Sequence, residues 1–393
     1  MNLLYLCDEY PPCQHGGIGT VTQILAREMV KKGHKVFVCG LYPYYRTSLS
    51  KEKDRGVNVY RRFYGNWLLL KLSKHKLFGR YFNIEHSFID YLSFLKELIK
   101  KNNINIIEIP DFNEIFRYTG PRFINFPDFK IPSVVKLHGS FTLIDHIMGS
   151  KDLRETIFKK ESYLIHHATK VLAVSEFTKK EVAELFSYKK EIAVIHNGIP
   201  IIRKIRKNDN SNNSVVFAGT LAEIKGVLNL IKAWEKVVSV IPTANLYLYG
   251  KGGKNIFKKI NNLITEKTQK SIHIKGFVTR AKLLNIYRSV SCAIFPSYVE
   301  SFGMAPLESM QVGCPTIFTK RVSGSELIND GVTGLLVDPD NIQEISEAII
   351  KMLSDKTTAE NMGRKGAKMV NQKFNIATIA DLHIDLYKSI LKK

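Results

Sequence analysis

Short apolar runs closed by glycine, proline, asparagine or serine recur along the first half of the chain: NLLYLC, KVFVCG, INIIEIP, SVVKLHG, KVLAVS and IAVIHNG. Their length and their Val, Ile and Tyr content predict buried strands. Between several of them the period changes to that of a helix. Over residues 20–32, Val21, Ile24, Leu25 and Met29 fall on one face and Gly33 follows the end. Such alternation predicts a parallel sheet covered on both faces. The stretch RKIRKNDNSNNS, residues 203–214, then interrupts the pattern with polar and charged residues that cannot support a core, and it predicts a linker. Beyond it the alternation restarts with SVVFAG, ANLYLYG, SIHIKGF, CAIFPS, PTIFTK and GLLVDP. The expected fold class is α/β, with one doubly wound domain over residues 1–202 and a second over 215–373. A terminal helix is expected over 374–393, with Ile376, Ile379, Leu382, Ile384, Leu386 and Ile390 available for burial.

Length agrees with that division, because 393 residues are enough for two cores. With 45% hydrophobic and 24% charged residues and a mean hydropathy of -0.10, the composition excludes a disordered or fibrous chain. Charge adds something the pattern lacks. A formal net of +22 and a pI near 9.6 favour partners that carry phosphate, nucleic acid or anionic lipid. The opening MNLLYLCDEYPP has no basic lead and is broken by Asp8 and Glu9, so it does not read as a secretory signal. No unbroken apolar run approaches the ~18 residues of a membrane span. The expected location is cytoplasmic, peripheral at a membrane as an alternative. Cys7, Cys13, Cys39, Cys292 and Cys314 are scattered without a C-x-x-C pair, which argues against a disulfide framework or a zinc site.

In doubly wound sheets, ligands bind beyond the carboxyl ends of the strands, so motifs on strand-to-helix turns carry weight. The first such turn holds Gly16, Gly17 and Gly19, where backbone can approach an anion at a helix start, or simply turn tightly. Counted from Gly17, a dinucleotide fingerprint would need glycine at 22 and finds Thr22, which disfavours a hydride-transferring enzyme. His138 ends a strand, placed to donate to a sugar hydroxyl or to serve a structural bond. FAGTLAEIKGV brings Gly219 and Thr220 past a strand and Lys225 before a helix, a phosphate-binding arrangement or a solvated lysine. LYLYGKGG does the same with Gly250.

The most informative stretch is CAIFPSYVESFGMAPLESMQVGCP, a strand, a loop and a helix beginning near Gly303 to Ala305. Backbone amides at Phe302, Gly303 and Met304 would face the ligand as anion donors. Glu300 precedes the helix and Glu308 lies inside it, with seven residues between them. An ionised carboxylate only accepts hydrogen bonds, so Glu308 suits a pair of ribose hydroxyls and Glu300 those of a second sugar. The spacing therefore spans a nucleotide sugar. Its plainer reading puts Glu308 on an exposed helix face.

The ordered set PPCQHGGIG, HGS, VSEFTKKEV, IHNGI, FAGTLAEIKG, LYLYGKG, GFV, PSYVESFGMAPLESMQVGCP and SGSELINDGVTGLLVDPDN resembles glycosyltransferase family 4, from about residue 10 to 341. The resemblance implies the GT-B fold, two Rossmann-like domains facing a cleft, the first binding the acceptor and the second a nucleotide-sugar donor. It implies retaining, metal-independent transfer without a cofactor, with uridine as the default donor base and guanosine as the alternative. The acceptor is expected to be a glycan or lipid-linked saccharide of surface-polysaccharide synthesis. Catalytic roles then fall to His138, Glu300 and Lys225. Donor binding falls to Gly16, Gly17, Gly219, Thr220, Lys225, Gly250, Glu300, Ser301, Phe302, Gly303, Met304 and Glu308. The terminal helix is implied to cross back to the first domain.

One position departs from the family. Where an arginine usually follows the glycine of FAG, this chain has Thr220, and Arg280 or Lys254 is expected to compensate. Asp338 and Asp340 spell a metal-binding D-x-D but follow GLLV, where a loop closing a strand is expected. Between Asp54 and Glu85 lie Arg55, Arg61, Arg62, Lys71, Lys74, Lys76 and Arg80 among large apolar residues, with no acid. Residues 55–84 suit either an anionic membrane surface or a solvated loop with a core helix. A GT-B epimerase or hydrolase is the nearest alternative function. A nucleic-acid-binding protein is a distant one, since no nucleic-acid motif accompanies the charge.

Overall fold

A computed structural model describes residues 1–12, 16–43, 49–64, 78–113, 119, 121–150, 154–202 and 213–392. The chain forms two compact units, Met1–Pro200 with Ile376–Lys393, and Ile201–Asn375. Of the expected linker, residues 203–212 lie outside the described residues.

The first unit carries β1 (Asn2–Leu6), β2 (Lys35–Pro43), β3 (Leu49–Asp54), β4 (Val57–Tyr64), β5 (Ile106–Pro110), β6 (Ser133–Leu137), β7 (Lys170–Ala173) and β8 (Ile192–Val194). They are ordered β3-β4-β2-β1-β5-β6-β7-β8. All pairings are parallel except β3 with β4, so the expected parallel sheet carries one antiparallel strand at its edge. The cause is local. Arg55 and Gly56 take φ of 48° and 93°, the double positive φ of a two-residue hairpin turn. Val57 and Val59, wholly buried, then alternate with polar neighbours.

The turn and second strand of that hairpin lie inside the segment considered for a membrane surface. Arg61 continues the inward row of Val57 and Val59 and is 3% exposed. It pairs with Glu52 at 2.7 Å and donates to the carbonyls of Tyr10 and Pro11 at 3.3 and 2.8 Å. Arg62 lies over the Phe94 ring. Two of the seven cations thus serve the fold. Residues 65–77, with Lys71, Lys74 and Lys76, lie outside the described residues, as does the side chain of Arg80. Among the described residues no helix is long and apolar enough to cross a membrane.

The second unit carries β9 (Ser214–Ala218), β10 (Asn245–Tyr249), β11 (Ile272–Gly276), β12 (Cys292–Phe295), β13 (Thr316–Thr319) and β14 (Leu335–Val337), all parallel, ordered β11-β10-β9-β12-β13-β14. Its core gathers Phe217, Trp234, Leu246, Ile294, Ile317 and Ile349. The strand order reverses between β9 and β12, so the loops after these two strands are neighbours. In the first sheet the corresponding point lies between β1 and β5.

The terminal helix spans Ile376–Leu391 and belongs to the first unit, with the Ile376 amide donating to the Ile199 carbonyl at 3.0 Å. Ile376, Ile379, Ala380, His383, Ile384 and Tyr387 are buried, whereas Leu382 is 47% exposed. The buried face follows the i, i+3, i+4 stripe through 376, 379, 380 and 383, which leaves position 382 on the opposite side. Cys7, Cys39, Cys292 and Cys314 are buried thiols outside any disulfide, while Cys13 lies outside the described residues.

Candidate active site

Each unit presents its candidate residues on loops at the carboxyl ends of its strands. In the second unit Gly219 and Thr220 directly follow β9 and Gly250 directly follows β10. The two loops lie against each other: the Gly219 amide donates to the Tyr249 carbonyl at 3.0 Å and that of Leu221 to the Lys251 carbonyl at 2.8 Å. A Cβ on Gly250 would fall 1.7 Å from the Gly219 carbonyl oxygen, so the approach requires glycine. After Thr220 the turn Glu223–Lys225 leads through Gly226 into the helix Val227–Val240.

The β12 loop meets that turn. Tyr298 donates its amide to the Ile224 carbonyl at 2.9 Å. Lys225 Nζ donates to Glu300 Oε2 at 2.7 Å and to the Val299 carbonyl at 3.0 Å. Both side chains keep about a quarter of their surface, 23% for Lys225 and 24% for Glu300, so each still faces solvent. The pair joins the two strands that flank the reversal in strand order.

The helix Met304–Gln311 starts one residue after Phe302-Gly303, with Gly303 at φ 94° as its N-cap. Only glycine takes that angle readily, and the amides of Met304 and Ala305 in the first turn have no acceptor within the helix. Phe302 is buried against Phe374 with ring centres 5.3 Å apart, so any part it plays in a site is through its backbone. Ser301 and Met304 are half-buried. Glu308 is 6% exposed, which removes the reading of a solvated helix face. Burial pushes its carboxyl above the ordinary range, and the guanidinium of Arg280, which donates Nε–H to Oε1, opposes that rise. Arg280 is therefore paired with Glu308 through one of its nitrogens. Lys254 opens the helix Lys254–Leu263 and is exposed.

Asp338 and Asp340, just beyond β14, are bridged by Arg321 at 2.8 and 2.6 Å, and Tyr298 Oη donates to Asp340 at 2.7 Å. This D-x-D closes a loop through a protein cation.

In the first unit His138 directly follows β6 and Asp111 directly follows β5. Wholly buried, Asp111 accepts the amides of Phe112, His138 and Gly139 at 2.8, 2.6 and 3.1 Å. Glu161, equally buried, accepts those of Phe141 and Thr142 at 2.9 and 3.1 Å, and Ser140 Oγ accepts that of Leu143 at 3.2 Å. Two carboxylates thus clamp both ends of the His138 turn. Burial pushes the pKa of each up to about 7 against the pull of these amides. The His138 imidazole is held neutral, its pKa pushed well below the usual value by burial and by the nearby Lys136 and His383.

The glycine turn differs from expectation. The helix begins at Gly17, three residues ahead of the expected start, with Gly16 as an N-cap. Gly16 and Gly17 are exposed, but the amides of Gly16 and Gly19 donate to the Glu9 carboxylate at 3.0 and 2.7 Å. An internal anion already sits on the helix start that was expected to approach phosphate. The signal was present, since an acid seven residues ahead of a glycine-rich helix start complements its dipole.

Two family models match the chain: Glycosyltransferase Family 4 over residues 15–203 and Glycosyl transferases group 1 over 198–369. The chain belongs to glycosyltransferase family 4. Among relatives of this glycosyltransferase, the uncharacterized glycosyltransferase MJ1178 of Methanocaldococcus jannaschii is 29% identical over 249 residues, 62% of this chain and 65% of that protein. Glycogen synthase of Mycobacterium tuberculosis is 24% identical over 408 residues, 98% of this chain and 94% of that one. Sucrose-phosphate synthase from Thermosynechococcus elongatus superposes with a TM-score of 0.80 at 18% identity, covering 100% of this chain and 99% of its own. Anabaena HepE, solved with UDP-glucose, gives 0.73 at 18% identity, covering 99% and 100%. The glycosyltransferase therefore has the α/β fold of the GT-B enzymes, two Rossmann-like domains, with the antiparallel β3 as an addition at one edge.

Asp111 and Glu161 escaped the sequence reading of this glycosyltransferase. Asp111 was visible in principle, because INIIEIPD places it past a strand end as SVVKLH places His138. Glu161 shares the buried helix stripe of Ile157, Leu164 and Ile165, where a charged residue at an apolar position is the available clue.

Proposed function

We propose that this glycosyltransferase moves a sugar, with retention, from a nucleoside-diphosphate sugar to a hydroxyl of a glycan or lipid-linked saccharide, with UDP as the first candidate carrier. The observation that carries the reading is the joining of Glu300 to Lys225 across the reversal in strand order, with the Met304 helix start and Glu308 on the same loop-helix unit. Glu308 takes the ribose hydroxyls, Lys225 and the first-turn amides take the diphosphate, and Glu300 takes the transferred sugar. Gly219 and Gly250 leave room for the donor, and Thr220 contributes no charge. UDP follows from the likeness to HepE, and a saccharide acceptor from the likeness to glycogen synthase.

In the step itself the acceptor oxygen forms a bond to the anomeric carbon on the face from which the diphosphate leaves. The carbon-oxygen bond to the diphosphate breaks, and the acceptor proton passes to a leaving phosphate oxygen. Lys225 stabilises the charge that develops there, so the step uses neither a protein base nor a metal. Neutral His138 donates to a hydroxyl of the donor sugar.

Thermal unfolding with UDP, GDP, ADP and dTDP, each in EDTA, tests the donor assignment. A diphosphate at 100 times its Kd adds ~2.7 kcal/mol, which moves the melting of a domain this size by roughly 5–10 °C. UDP is expected to give that shift in the native protein and not in Glu308→Ala. Stabilisation by UDP alone that persists in Glu308→Ala would displace Glu308 from the ribose. NMR of the product from a matched donor and acceptor reads the anomeric configuration, and free sugar as the only product would replace transfer with hydrolysis.

A further inference from the structure

Glu308 is nearly enclosed, and a carboxyl in that position loses the solvation that keeps it ionised. What offsets this is a single cation. Arg280, the first residue of the helix Arg280–Ser289, points Nε–H at Glu308 Oε1. The arginine uses no other nitrogen among the described residues, and its side chain is 37% exposed. Glu308 Oε2 likewise accepts nothing among the described residues. A free carboxylate oxygen and free guanidinium donors therefore lie together, one face buried and the other open. The other titratable group that reaches Glu308 is the Tyr287 hydroxyl, buried and without a hydrogen-bond partner among the described residues, with the Cys314 thiol beyond it.

A ribose diol is complementary to that arrangement. Each hydroxyl must donate to an acceptor and can accept from a donor at the same time. A carboxylate accepts from both hydroxyls most strongly while it is ionised, since a protonated one loses its charge and gives up an acceptor lone pair to its own proton.

We propose that Arg280 is the positioning residue of Glu308: its Nε–H fixes Glu308 as an oriented anion, so that donor recognition depends on a ribose diol and holds through neutral pH. The inference rests on the assignment of Glu308 to the ribose. Loss of the arginine leaves burial to act alone and carries the Glu308 carboxyl further up, so ribose recognition in a variant should fade as pH falls and return as it rises.

Calorimetric titration with UDP and 2′-deoxy-UDP from pH 6 to pH 9, in EDTA, separates the outcomes. The native protein is expected to prefer UDP about 10- to 100-fold at every pH, as a charge-assisted contact would give. Arg280→Met should lose most of that preference at pH 7 and regain it toward pH 9. Arg280→Lys, which keeps the charge without the fixed N–H geometry, should fall between them and serves should the methionine variant misfold. Equal weakening of both nucleotides at every pH, or no change, would overturn the positioning role while leaving the ribose assignment intact. A native protein that binds UDP without preferring it to the deoxy form would overturn both.

Discussion

Replacing Glu161 with alanine should lower the unfolding midpoint of the first unit by roughly 10 °C. The carboxylate accepts the amides of Phe141 and Thr142 where no water reaches them. Each orphaned buried donor costs ~1–3 kcal/mol, and a domain of this size moves 2–4 °C per kcal/mol. Melting monitored by circular dichroism checks this, and a fall below about 2 °C would mean that the His138 turn is held by something else. A pH arm follows from the charge. The folded pKa of Glu161, about 7, lies above its unfolded value, so folding favours the protonated form. That contribution is complete below about pH 4 and is lost as pH rises through 7. Glu161→Gln removes the titration. Its deficit relative to the native protein should therefore shrink by ~3 kcal/mol between pH 4.5 and pH 8, measured by urea unfolding at each pH.

Lys225→Ala should cost turnover rather than stability. Under the proposed function it removes the one lysine on the diphosphate and also frees Glu300, and loss of such a preorganised contact lowers kcat by about 10²- to 10³-fold. The part-buried Lys225–Glu300 pair still faces solvent and contributes about 1 kcal/mol to folding, so melting should stay within roughly 4 °C of the native value. Steady-state kinetics beside a melting curve resolves the two. A variant within fivefold of native kcat/KM would remove Lys225 from the reaction.

The contrast between these residues explains what the sequence made legible. Glu300, Gly303 and Glu308 sit on one strand-loop-helix unit, so local spacing carries their relation, and the strand, loop and helix form where that stretch predicted them. Lys225 is 75 residues from Glu300, and although both were named for the site, their ion pair was not anticipated because it depends on which strands become neighbours. Glu9, Asp111 and Glu161 answer to backbone amides, so the sequence marks each only as an acid in an unusual place and the partner appears when the chain is folded. The β3–β4 hairpin was missed for another reason. Read by composition, RGVNVYRRFY is a basic aromatic segment. Read by alternation, it is a strand whose third inward position is an arginine that finds Glu52 and two carbonyls. At the terminal helix the count of apolar residues suggested Leu382, while the period selects His383.

The helix Ile376–Leu391 has a consequence for how the molecule is made. Tyr387 Oη donates to Glu108 at 2.5 Å, and Lys136 Nζ lies 3.3 Å from His383 Nε2. These buried charges of the first sheet, 4.0 Å from each other, therefore find their further partners in a segment that the ribosome reaches only after residues 201–375. At ordinary elongation rates that interval lasts roughly ten to thirty seconds. Through it the nascent first unit holds an uncovered Glu108 and Lys136 and the apolar seat of Ile376, Ile379 and Ile384, while the second unit can finish folding. A polypeptide released early would thus pair a completed second unit with an unfinished first one, a sticky product for chaperones and proteases to sort.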